Sequence, residues 1–267
     1  MQIKDKTKIQ KLYFQVKELQ DMFPVANRDI TIALRYENVI NSSIIEYDFI
    51  DPVFIQTLLY RGNIKVKEHF SHIYRKIALE VIGLDGMLRY LEKSAPRKSD
   101  LSVSLILKLQ NFLFEKSWPD IAGKFRDCDV RIRGLKQKPP HPSQVSALAY
   151  QHLGWVDGLM KLLGPITENT FFEIFHVAAD IHSRIIESYP FRSGNWRIAR
   201  AMSNYVLQNC GMFPNVIDFH KRTEYLDAVS NSTLISLEPL EDFLLESYYE
   251  IIIKVKGFLE LIQKGTE

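Results

Sequence analysis

Tyr189-Pro190-Phe191-Arg192-Ser193-Gly194-Asn195-Trp196-Arg197-Ile198-Ala199-Arg200 is the stretch that decides how this chain folds. Helical patterning flanks it on both sides. Thr167 to Ser188 reads as one helix and Arg197 to Gln208 as the next, stopped by Gly211 and Pro214. A Gly-Asn turn feeding straight into a helix leaves several backbone N–H groups without intrahelical partners. The helix dipole adds partial positive charge at the same place. Arg197 and Arg200 stand three apart, on one face of the first turn. Two guanidinium forks beside free N–H groups suit a phosphate-bearing ligand. From these residues alone, a plain helix start with two surface arginines reads equally well.

Outward from the loop the chain is mostly helical. Ile9, Leu12, Tyr13, Val16, Leu19 and Phe23 recur at helical spacing up to Pro24. Further helices are predicted over 28–47, 52–61, 69–93, from about 99 to 114, 142–163, 216–230 and 238–263. Residues 124–138 alternate instead, with Val130 and Ile132 apolar among charged neighbours and Gly134 following, a weak hairpin signal that Pro139-Pro140 ends. No repeat or low-complexity linker divides the chain, so one compact unit is expected.

Bulk properties exclude several classes. A 267-residue chain with 46% hydrophobic and 25% charged residues is ordinary for a globular protein. Its net charge of +2 argues for neither nucleic acid nor a membrane surface as partner. Cys128 and Cys210 give no disulfide framework and no metal spacing, which fits a reducing cytoplasm. The N-terminal twenty residues lack the apolar segment of a signal peptide. The apolar windows 101–114 and 243–261 are broken by polar residues too soon to span a bilayer. His176 and His182 are six apart, wrong for two metal ligands on one helix face.

The 189–200 stretch resembles the signature of the Fic (Fido) family of nucleotidyl transferases, HPFx[D/E]GNGRxxR. Pro190, Phe191, Gly194, Asn195, Arg197 and Arg200 match it. The flanking AADIHSRIIESYPF and ARAMSNYVLQNCGMFP are similar to the helices that enter and leave the family's loop, and the similarity extends over about 90–245. The resemblance implies an all-α Fic core with a small β-hairpin flap, on which Val130, Ile132 and Gly134 would dock a target segment. It implies N-terminal helices over 1–90, a core over 91–267, and an inhibitory helix around 28–47. Ser42 and Glu46 match that helix's [S/T]xxxE pattern, with Glu46 expected to pair with Arg200, while Tyr47 departs from its last position. The residues after the closing segment, TEYLDAVSNSTLISLEPLEDFLLE, form one apolar-striped helix, so the winged-helix module that many members append is not expected.

Three substitutions fall where the family's chemistry lies. Tyr189 replaces the histidine that acts as base, and a phenol with a pKa of about 10, against about 6.5 for histidine, is protonated at neutral pH. Ser193 replaces the acidic ligand of Mg²⁺, which prefers charged oxygens, so the metal would be poorly held. Trp196 replaces a glycine that permits close approach to phosphate. The resemblance therefore implies a relative of protein adenylyltransferases (AMPylators) that is degenerate and non-catalytic for AMP transfer. It would bind ATP or another nucleotide at Gly194, Asn195, Arg197 and Arg200, or a protein partner, with a homodimer compatible. The alternative is an active nucleotidyl or phosphoryl transferase with altered chemistry, autoinhibited by Glu46; a third is a purely structural role.

Overall fold

The computed structural model describes residues 6–60, 71–95, 101–132, 138–164 and 166–266. Among the described residues there are ten α-helices and no strand. They are α1 (Lys6–Met22), α2 (Pro24–Glu46), α3 (Pro52–Tyr60), α4 (His72–Ser94), α5 (Val103–Phe114), α6 (Pro142–Leu162), α7 (Phe171–Ser188), α8 (Asn195–Asn209), α9 (Arg222–Asn231) and α10 (Glu238–Thr266). Pro24 opens α2 rather than merely closing α1, because its fixed φ and missing N–H cost nothing in a first turn.

The centre of the molecule is α8. Asn195, Arg197, Ile198, Ala199, Met202, Tyr205 and Val206 are all buried, so little of its circumference meets water. It packs along α7, and the Ser203 hydroxyl donates to the Ala178 carbonyl at 2.7 Å across that seam. A buried apolar cluster runs from Ile9 in α1 to Leu259 in α10. Position 90/91, between the N-terminal helices and the core, lies inside α4. At Gly83 a Cβ would stand 2.5 Å from the Phe112 carbonyl oxygen and 2.8 Å from that of Leu113, so α4 and α5 approach to backbone contact there.

The hairpin expected around 124–138 is not found among the described residues. Val130 and Ile132 lie half-buried in a segment without strand pairing, and Gly134 lies outside the described residues. Period-two alternation marks an extended chain, but a strand also needs a partner. A backbone bond of this segment runs instead to the motif loop, from Arg126 N–H to the Pro190 carbonyl at 3.0 Å.

Candidate anion site at the start of helix α8

The loop between α7 and α8 is held by its own residues. Asn195 clasps it in both directions: its Oδ1 accepts from Phe191 N–H and its Nδ2 donates to the Phe191 carbonyl, each at 2.8 Å. Phe191 is fully buried and stacks on Phe125 with centroids 6.1 Å apart. Gly194 caps α8 at φ +89°, and a Cβ there would meet the Phe114 ring at 2.7 Å, so only glycine fits. Tyr189 ends α7 at φ 42°, the one non-glycine residue in the left-handed region among the described residues.

Arg126 fixes that strained end. Its Nε donates to the Tyr189 carbonyl at 2.8 Å, its Nη2 to that of Pro140 at 2.6 Å and its Nη1 to that of Cys128 at 3.1 Å. The side chain therefore ties the 124–132 segment to the loop through backbone acceptors alone. Burial lowers its pKa somewhat.

The two motif arginines have different partners. Arg200 donates through Nε and Nη2 to the Ser42 hydroxyl at 2.9 and 2.7 Å, and through Nη2 to the Ser42 carbonyl at 3.2 Å. Arg197 donates from Nη1 to Glu80 Oε2 at 2.7 Å, and its Nη2 stands 3.9 Å from Glu46 Oε1. The expected Glu46–Arg200 pair is thus replaced by Ser42–Arg200 and Glu46–Arg197. The cause is register. Helices α2 and α8 run antiparallel, with Asn38 meeting Asn204 at 3.4 Å, Ser42 meeting Arg200 and Glu46 meeting Arg197. A helical step along one helix is matched by a step backwards along the other.

Glu80 is the site residue that motif reading missed. Its side chain is 1% exposed, and its Oε2 also accepts from the Tyr47 hydroxyl at 2.6 Å. A signal for it exists: position 80 falls between Ile77 and Leu84 in the buried stripe of α4, where a carboxylate is costly unless paired. Burial by itself would lower the pKa of Arg197, but the charges of Glu46 and Glu80 more than offset it and hold the guanidinium firmly protonated. The guanidinium sits between the Phe114 and Tyr47 rings, 5.2 and 5.7 Å from their centroids.

The remaining positions form an aromatic wall. Trp196 is partly buried and meets Tyr225 edge-on at 5.7 Å. The Tyr225 hydroxyl and His182 Nε2 share a 2.6 Å hydrogen bond. Burial, aided by the Arg200 charge, pushes His182 down to about 3, so it is neutral at physiological pH. Burial likewise raises the Tyr189 phenol above its ordinary value; the nearby Glu46 charge adds to this, while hydrogen bonds with Trp196 and Asn195 oppose it. A protonated phenol cannot take a proton from an attacking hydroxyl.

Two donors at the site are orphaned. Arg197 Nε and Arg200 Nη1 are buried with no hydrogen-bond partner. Unmet buried donors are costly, so both mark places for an acceptor. A metal is less well served: Ser193 offers a neutral oxygen, and no group of three or more His, Cys, Asp or Glu residues gathers among the described residues.

The site is thus a glycine-capped helix start carrying two arginines, clasped by an asparagine and set in an all-helical core. Residues 100–207 match the model of the Fic/DOC family, and over this stretch the chain is Fic-like. It is 25% identical over 166 residues to the protein adenylyltransferase Fic of Aedes aegypti, covering 62% of this chain and 31% of that relative. It is 26% identical over 147 residues to the one from Drosophila melanogaster, covering 55% of this chain and 28% of that protein. The chain thus spans about a third of the length of these relatives. Among solved structures, a Fic-domain-containing signalling protein from Bacteroides thetaiotaomicron superposes with a TM-score of 0.75 at 24% identity, over 93% of this chain and 97% of that one. Fic-1 (residues 134–508) from C. elegans gives 0.73 at 21% identity, over 96% and 74%. No described helix is long and apolar enough to cross a membrane.

Proposed function

We propose that this chain is a Fic-domain protein that does not transfer AMP and acts by reversibly binding a nucleotide-type anion or a protein partner. The observation that carries the reading is the buried Arg197–Glu80 pair at 2.7 Å, which answers within the fold the charge a polyphosphate would need. Adenylyl transfer to a hydroxyl requires a proton acceptor. Here the loop position nearest that role holds Tyr189, a phenol raised by burial. Trp196, where the family signature has a glycine, packs edge-on against Tyr225 and His182.

The test is incubation of the purified chain with Mg²⁺ and ATP labelled at the α-phosphate, with and without a cell lysate. The expected result is no covalent label on any protein. Label that depends on Arg200 would overturn the reading and favour the alternative, a transferase autoinhibited by Glu46. That alternative draws on the 3.9 Å approach of Glu46 to Arg197, and Glu46→Gly would then raise the labelling.

A further inference from the structure

We infer that Glu80 is a specificity-determining residue: it occupies Arg197 as a resident anion and limits the site to ligands bearing a single phosphate group. The inference rests on the reading above that the site still receives an anion. Glu80 is approached by three side chains. Arg197 Nη1 of α8 donates to Oε2 at 2.7 Å, the Tyr47 hydroxyl at the end of α2 donates to the same oxygen at 2.6 Å, and Lys76 Nζ of α4 stands 3.9 Å from Oε1. With side chains 1% and 2% exposed, neither Glu80 nor Arg197 can turn toward water to release the other. Glu46 differs. It is the last residue of α2, its side chain is 24% exposed, and it approaches Arg197 only to 3.9 Å, so an incoming anion can displace it.

What remains for a ligand is narrow. Arg200 is bonded to Ser42, a neutral partner, and so keeps its whole charge and a free Nη1. Arg197 keeps a free Nε, but its charge is matched by Glu80. Once Glu46 moves aside, Arg200 is the motif arginine whose charge no carboxylate answers, and it faces the ligand together with the N–H groups at the start of α8. A phosphomonoester, carrying about −1.5 to −2, is a near match. Each further phosphate adds negative charge that Arg197, already matched by Glu80, does not meet, in a setting where unpaired charge is expensive. Inorganic phosphate shares this chemistry with a nucleoside monophosphate.

The experiment is calorimetric titration of AMP, ADP, ATP and inorganic phosphate into the wild-type chain without Mg²⁺, then into Glu80→Gln, which keeps the volume and an acceptor for Tyr47. The wild type should bind AMP at least as tightly as ATP. Glu80→Gln should tighten ATP roughly tenfold or more, as loss of one opposing charge implies, and move AMP by less than about threefold. Phosphate binding as well as AMP shows that the phosphate alone is read; AMP binding tighter shows that the nucleoside is read too; both support the inference. Three results overturn it: a wild-type preference for ATP over AMP of tenfold or more, no binding of any of the four, or a folded Glu80→Gln with unchanged ATP affinity. The wild-type series decides even if the variant does not fold. Covalent labelling and reversible affinity are separate readouts. Label transfer would strike the non-transferring reading alone, and a steep ATP preference without label would strike the role of Glu80 alone.

Discussion

A carboxylate that is 1% exposed survives in an interior only when its charge is met and its lone pairs are filled, and Glu80 has Arg197 and Tyr47 for this. Removing one partner leaves the other charged and dry. Arg197→Met is therefore expected to cost about 3–5 kcal/mol, and the double variant Glu80→Leu/Arg197→Met to recover much of it, read from urea unfolding. His182 supplies a pH dependence whose sign is fixed. Folded, it titrates near 3; unfolded, near the ordinary value of about 6.5. Between those values the unfolded chain takes up a proton that the folded one refuses, so stability falls as pH drops from about 6.5 toward 3, by up to about 1.4 kcal/mol per unit. Unfolding curves across that range should show the slope, and His182→Phe should flatten it while lowering the plateau, because the Tyr225 hydroxyl loses its partner.

At the level of elements, the motif loop is positioned by a strap rather than by a sheet. Arg126 is the strap, with three backbone carbonyls on its guanidinium and its own N–H on a fourth. Arg126→Met would leave buried acceptors unmet and loosen the strained turn at Tyr189. A loss of about 3 kcal/mol is expected in thermal or urea unfolding, with amide hydrogen exchange rising first at residues 189–194. The helices were legible because their apolar positions repeat at a strong period and their ends carry Pro, Gly or Ser signals, and the Gly-Asn turn was legible because local chemistry dictates it. The flap's strand pairing is not found among the described residues, and alternation describes a conformation, not a partner. The Glu46–Arg200 pairing was misread because the register between α2 and α8 depends on how two distant helices settle, which no local pattern records. Glu80 left a trace, an acid in a core stripe, but its partner lies 117 residues away.

Across the whole molecule, the first and last helices are stitched together. Tyr13 of α1 meets Phe171 of α7 at 5.3 Å and Tyr248 of α10 at 6.2 Å, and all three rings belong to the cluster that also lines α8. Such a shared core is expected to unfold as a unit. Tryptophan fluorescence, reporting on Trp196, Trp155 and Trp118, and far-UV circular dichroism should give coincident urea midpoints, and Tyr13→Ala should shift both equally by about 3–5 kcal/mol of stability. The charges divide into two populations. Lys254–Glu37 and Lys221–Glu250 stand at the surface with their side chains about a third or more exposed, whereas Arg197–Glu80 is sealed. Dissolved ions screen the first kind over about 10 Å at 0.1 M and scarcely reach the second. Raising ionic strength thus erodes the outer pairs and leaves the central one untouched, so the heart of this protein is set by its fold and not by the medium around it.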